Sequence, residues 1–352
     1  MRCTVAVMHK TMAFGLCLLL ATAACGDDTG TGASAGSPSS GGGGSTSNGG
    51  APSTGGSPAT GGGGSASEGG GGSGTGGSPS SCDALPPGPI EPIVATDELN
   101  GSEDIAFDGN GGIVGKDGGN IVRVDAAGTK TTIAPLAGQT YGLRYDAAGA
   151  LIAAQPGSGE LRKVEGADTV LFVDGLSGPN GVYGDSEGNV WVTEFGGNRV
   201  IRVQPNGDYD AIVDGSPANT PNGIVLDDTR SLLFFTNYSQ GRVYSVDPEG
   251  ATEPVEVGSV GGAVLDGLVL DACGNLYAVD QGNSRVYRFN LDASGALVGE
   301  PELMAELPQN VANGQFGSGD GWNKTSLYVA GNPGVVYELP LGVEGAPVPG
   351  AQ

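Results

Sequence analysis

Histidine is almost missing from this sequence: the one copy, His9, lies in the first ten residues, ahead of any region with the patterning of a fold. A chain without imidazole in its body has no Ser-His-Asp triad, no Cys-His pair and no His-rich zinc site. Positive charge is also scarce, with 15 Lys and Arg against 39 Asp and Glu, and the net charge is −24. No basic patch is visible, which argues against nucleic acid as a partner. Long apolar runs are lacking too. The run at residues 12–21 is too short to span a bilayer.

That run has another reading. Arg2 and Lys10 flank the start, the apolar stretch follows, and the small residues of ATAAC close it at 21–25. A charged region, an apolar region and small residues before a cut describe a secretory signal. A cysteine directly after the small residues resembles the bacterial lipoprotein signal, in which Cys25 is lipidated and becomes the first mature residue. Thr22 stands where such signals usually carry Leu. The expectation is a signal peptide over residues 1–24 and an exported protein held at the bacterial cell envelope by a lipid, its only membrane contact. The alternative is an ordinary signal peptide and a secreted protein, periplasmic or extracellular. Residues 26–81 are almost entirely Gly, Ser, Thr, Ala and Pro. Such a stretch has no apolar surface to offset its conformational entropy, so 25–89 is assigned to a disordered linker with a typical span of about 40 Å.

About 260 residues follow, enough for one large all-β domain with a buried core. Six segments there stack without gaps: EDIAFD at 103–108, YGLRYD at 141–146, NGVYGD at 180–185, NGIVLD at 222–227, DGLVLD at 266–271 and NGQFGS at 313–318. Their starts lie 38, 39, 42, 44 and 47 positions apart. Each is followed by a turn and a second strand (IVGKD, LIAAQ, VWVTE, LFFTN, LYAVD, LYVAG), then by a third, such as RVIRV or RVYSV, and a more variable fourth. Four short antiparallel strands per unit of about 40 residues predict the blades of a six-bladed β-propeller over residues 90–345, with a tail at 346–352. The sixth unit lacks a fourth strand, and residues 90–96 (IEPIVAT) are expected to supply it, closing the ring. That arrangement brings Cys82, ahead of the borrowed strand, to the same end of neighbouring blades as Cys273, in the first turn of blade five. In an oxidising compartment they form a disulfide closing a loop of about 190 residues, or remain two thiols.

The first residue of every repeat should stand at the mouth of the inner strand, beside the central channel: Glu103, Tyr141, Asn180, Asn222, Asp266 and Asn313. Carboxylates gathered on one axis need a cation or a raised pKa, and hard oxygen donors suit calcium, or magnesium, better than zinc or copper. The last residues of the second strands, Asp117, Gln155, Glu194, Asn237, Asp280 and Gly331, should form a polar ring around the first, for ligand support or substrate contact. Arg199, Arg242 and Arg285 open third strands away from the axis and read as structural.

With PNGV at 179–182, PNGI at 221–224, LDGLVLDACGNLYAVD and the closing NGQFGSGD…KTSLYVAG, the chain from about residue 90 resembles the senescence marker protein, gluconolactonase and luciferin-regenerating-enzyme family. The resemblance implies a propeller hydrolase with a catalytic divalent ion held by Glu103, Asn180, Asn222 and Asp266. Sugar lactonases of that family carry Arg two residues before the first Asn. Here that place is Gly178, which counts against gluconolactone as substrate. The histidine dyad of the related paraoxonases is missing, and GSEDIAFD is also similar to strictosidine-synthase-like propellers. The leading expectation is a calcium-dependent hydrolase of a small-molecule lactone or related ester, with Asp266 activating water and Glu103 mainly a ligand. The competing one is a non-catalytic, NHL-like surface propeller that binds a ligand or partner.

Overall fold

A computed structural model describes residues 82–350. The signal segment, Cys25 and most of the linker therefore lie outside the described residues. Short β-rich repeats punctuated by Gly turns give 24 strands in six four-stranded antiparallel sheets. In five of the sheets the strands follow chain order, and successive inner strands contact one another until the sixth returns to the first. This is a six-bladed β-propeller. The inner strands are Ala106–Phe107, Leu143–Tyr145, Pro179–Gly184, Pro221–Asp227, Leu265–Leu270 and Asn313–Phe316.

Blade six is completed from the N-terminal side. Ile93–Thr96 pairs antiparallel with Val336–Pro340, covering what would be an open edge. The junction between first and last blades is sealed by rings as well. Phe107 packs edge-on against Trp322 and Tyr328, with centroids 5.6 and 5.1 Å away. Residues 82–89, assigned above to the linker, are part of the packed domain. Gly88 N–H donates to Glu302 Oε1 at 2.9 Å, and Leu85 and Ile90 pack on an apolar cluster of the last two blades. Cys82 is bonded to Cys273, their Cα atoms 5.6 Å apart. The tail is not free either: Ala346 N–H donates to the Leu270 carbonyl at 2.9 Å, and Ala346 and Val348 cover the channel at the ends of the inner strands. A separate cleft opens at the other mouth, at the strand starts.

Two local rules shape the inner ring. An Asp closes five of the six inner repeats, and each organises the hairpin turn that follows. Asp185 Oδ1, for example, accepts from the N–H groups of Glu187 and Asn189, and Asp271 Oδ1 from those of Cys273 and Asn275. Second, the Gly after the first residue lets neighbouring strands touch. A Cβ at Gly181 would collide with the Asn222 carbonyl oxygen, and one at Gly223 with that of Asp266. Blade one departs from this rule with Asp104, whose carboxylate pairs with the buried Arg144 at 2.7 Å. Arg144 also donates to the carbonyls of Ile105 and Gly314, tying the inner strands of blades one, two and six together under the open mouth.

Candidate functional site

In blades three, four and five the register of the inner strand shifts between Pro179 and Val182, between Pro221 and Ile224, and between Leu265 and Leu268. Each bulge contains the first repeat residue and its Gly. A bulge leaves its extra residue out of the ladder and re-aims its side chain. Here the re-aimed side chains are Asn180, Asn222 and Asp266. They line one cleft of about 210 Å³ together with Glu103 and Tyr141 from blades one and two. Asn313 does not join them. Its strand pairs regularly from Asn313 opposite Ala330 onward, with no bulge, and its Oδ1 accepts from Gly314 N–H at 3.0 Å.

The bulged residues are held from behind. Thr193 Oγ1 accepts from Gly181 N–H at 2.8 Å and donates to the Asn222 carbonyl at 2.6 Å. Thr236 repeats the arrangement one blade on, between Gly223 N–H and the Asp266 carbonyl, each at 2.8 Å. Each threonine thus links its own blade's bulge to the next.

Of the strand-end ring, expected to give ligand support or substrate contact, three members hold loops and do not line the cleft. Glu194, Asn237 and Asp280 are buried and turned away from the cleft. Glu194 Oε1 accepts from Ser177 N–H at 2.6 Å, Asn237 Nδ2 donates to the Pro217 carbonyl at 2.9 Å, and Asp280 Oδ1 accepts from Val264 N–H at 2.9 Å. All three brace the loops that lead into the bulges. Because strand side chains alternate, the residues one place further on face the cleft instead: Phe195, Tyr238 and Gln281. Arg199, Arg242 and Arg285 pair with Glu194, Glu256 and Glu306, away from the cleft. Gly178, at φ 62°, has a backbone conformation that an Arg side chain rarely tolerates.

Electrostatically the cleft is acidic and uncompensated. Burial, then repulsion from Asp104, pushes Glu103 up from 4.5 to about 8. Asp266 is fully buried and stands well above the usual carboxylate range, through burial first and then repulsion from Glu103 and Asp104. The same two cleft carboxylates raise the Tyr141 and Tyr238 hydroxyls, after burial. Asn222 Oδ1 and Asp266 Oδ2 are buried without a hydrogen-bond partner. Two orphaned oxygens in an acidic cleft fit a hard cation, with Glu103 and Asn180 as further oxygen donors. Among the described residues no three His, Cys, Asp or Glu side chains cluster as a metal site, so the set depends on the two Asn amides.

A larger cavity of about 400 Å³ lies near the opposite end of the inner strands. Two of its three acidic side chains are engaged, while the pKa of Asp228 is raised by burial and by repulsion from Asp185 and Asp227. Asp227 pairs with Arg230, and Asp271 Oδ2 accepts from Tyr277 and Asn275. What sets the smaller cleft apart is its pair of buried oxygens without a partner, Asn222 Oδ1 and Asp266 Oδ2.

No family model matches the chain, and no curated protein matches it in sequence. Solved structures do. A calcium-binding protein, regucalcin, from Agrobacterium tumefaciens is 18% identical, with 74% of this chain and 97% of that one covered and a TM-score of 0.60. A gluconolactonase from Xanthomonas campestris is also 18% identical, covering 76% and 97% at 0.57. Virginiamycin B lyase from Staphylococcus aureus is 14% identical, covering 66% and 78% at 0.52. At such identities the likeness shows the fold: this chain shares the six-bladed propeller of the gluconolactonase and regucalcin structures.

Proposed function

We propose that the cleft at the channel mouth holds a divalent cation, calcium fitting best, and hydrolyses a lactone or related ester. The observation that carries this reading is the pair of buried, unpartnered oxygens, Asn222 Oδ1 and Asp266 Oδ2, in a cleft whose two carboxylates are both held above their usual range. Glu103, Asn180, Asn222 and Asp266 would be the ligands. When bound, a cation there would polarise the ester carbonyl and offset the negative charge that develops on its oxygen. The names of the regucalcin and gluconolactonase structures support both halves of the reading.

The chain's own part is positioning and proton transfer. The backbone of Asp266 is held by its bulge and by Thr236 behind it, and its carboxyl lines the cleft. With a cation bound, Asp266 would be ionised, and the carboxylate oxygen not engaged by the cation takes the proton of the water that attacks the carbonyl carbon. The ester C–O bond then breaks, and the departing alkoxide recovers that proton, leaving a hydroxy acid. Glu103 is mainly a ligand. Without histidine in the domain, no imidazole competes for this role.

The test is lactone turnover by the purified protein with calcium, with a chelator, and as Asp266→Asn. Loss of turnover in the last two is expected, by a factor of about 10²–10⁴ for the substitution, as for removal of a general base. Turnover indifferent to both defeats the reading. Calcium binding without turnover on a broad lactone and ester panel points to a binding propeller.

Export and lipid attachment at Cys25 are proposed as well. The Cys82–Cys273 disulfide supports an oxidising compartment. Mass spectrometry of the mature N-terminus would detect the acylated Cys25, and an unmodified N-terminus would reject the anchor.

A further inference from the structure

The chain enters the propeller through an arm, residues 82–92, that grips blade five before it reaches blade six. Cys82, which is exposed, is bonded to Cys273 in the first hairpin turn of blade five. Gly88 N–H donates to Glu302 Oε1 at 2.9 Å and Ile90 N–H to the Met304 carbonyl at 2.6 Å, so residues 88–90 run along Glu302–Glu306, the outer strand of blade five. Leu85 and Ile90 pack on the apolar cluster of the last two blades. Only then does the chain cross to blade six, where Ile93–Thr96 completes the sheet.

Apart from the sulfur bridge, this attachment is slight. The borrowed strand has four residues, its register shifts between Val94 and Thr96, and Ile93 and Val94 are 51% and 60% exposed. Peeled from its N-terminal end, such an edge gives up its hydrogen bonds one at a time, each of modest net worth. Elements with few buried apolar contacts open at the low end of a protein's local stabilities.

Residues 26–81, almost entirely Gly, Ser, Thr, Ala and Pro, lead into Cys82. The disulfide decides where a pull along them acts. Tension reaches Cys82, the first residue of the arm, and crosses to Cys273, so residues 83–96 carry none of it. It enters instead a four-stranded blade whose inner strand contacts those of blades four and six. Against a load at the C-terminus, the same bond closes residues 83–272 into a loop that cannot be drawn out. Glu103, Asn180, Asn222 and Asp266 all lie inside that loop.

We infer that the Cys82–Cys273 bond is a force-bearing strap, which carries tension from the N-terminal segment past the borrowed strand and keeps the ring closed under load. Its use at a cell envelope rests on the lipid attachment proposed above, whereas the load path rests on the arm and the bond.

Single-molecule pulling reads the load path, with one handle ahead of Cys82 and the other at the C-terminus. Before reduction, extension should be confined to the residues beyond Cys273, with no step from the arm. A dithiol is then added, and it is oxidised to its own disulfide as Cys82 and Cys273 become thiols. A new first step should appear, at lower force than the blades unfold, with the extension of about 50 Å expected for residues 82–96. Cys82→Ser should show that step without any reductant. A step of this size before reduction overturns the inference, because load then reaches the strand despite the bond. So does a reduced protein whose ring opens only at the force that unfolds the blades, because the strand then needs no strap. The measurement needs no acyl group, so its failure and that of the lipid anchor are read separately.

Discussion

At the scale of single residues, the cleft is a set of acids kept from ionising. Glu103 titrates near 8 rather than 4.5, and Asp266 is shifted in the same direction. For an acid raised in the folded state, the stabilising contribution is complete below its unfolded pKa and is lost as pH rises through the folded one. The metal-free domain should therefore lose thermal stability between about pH 5 and 8, and calcium should remove most of that loss. Calcium affinity should rise over the same range with release of protons, seen by calorimetry in buffers of different ionisation enthalpy. A pH-independent affinity would mean that Glu103 is already ionised. The threonines give a second residue-scale prediction. Thr236→Val leaves Gly223 N–H and the Asp266 carbonyl without their partner and should weaken calcium about 10–100-fold, as loss of an outer-shell contact does.

Much of this residue set is legible in the sequence. Aligning the repeats alone brings Glu103, Asn180, Asn222 and Asp266 to one axis, because a propeller converts a sequence period into a ring. Phe195, Tyr238 and Gln281 are not legible that way. They lie one residue beyond strands whose ends are uncertain in sequence, and one step in a strand reverses the face. Asn313 misleads for a related reason: its motif matches, but its strand pairs without a bulge.

At the scale of the strand, the bulge is the device that builds the site, and the following Gly makes it possible. Gly223→Ala sets a Cβ against the backbone of Asp266 and Leu268. It should cost on the order of 1–3 kcal/mol, as overpacking does. It should also abolish calcium-dependent stabilisation, since the adjacent bulge carries Asp266; a thermal melt with and without calcium reads both effects. A variant that melts like wild type under both conditions would show that the strands have slack. The glycines are plain in the sequence at the second position of five repeats. Their reason, carbonyls of the next strand at contact distance, emerges only from the packing.

At the scale of the whole molecule, the ring is closed by two unrelated means, the borrowed strand Ile93–Thr96 and the Cys82–Cys273 bond. The disulfide spans 191 residues, so its loss should destabilise the domain by up to about 5 kcal/mol on the chain-entropy view. Cys273→Ser should lower the melting temperature without changing calcium affinity, because Cys273 lies in a hairpin turn at the far end of its blade from the cleft. An unchanged melting temperature would show that the strand alone closes the ring. Closure was legible from a missing fourth strand in the last repeat. The folding of residues 82–89 onto blades five and six was not, because Pro86, Pro87, Gly88 and Pro89 show no strand alternation and the contacts are with distant residues such as Glu302.

The account rests on the cleft as a cation site, and a calorimetric titration of the metal-free protein with calcium tests it most directly. It predicts one calcium per chain, with protons released at neutral pH, and no binding in Asp266→Ala. Absence of binding in the wild type, or binding that survives Asp266→Ala unchanged, would contradict it.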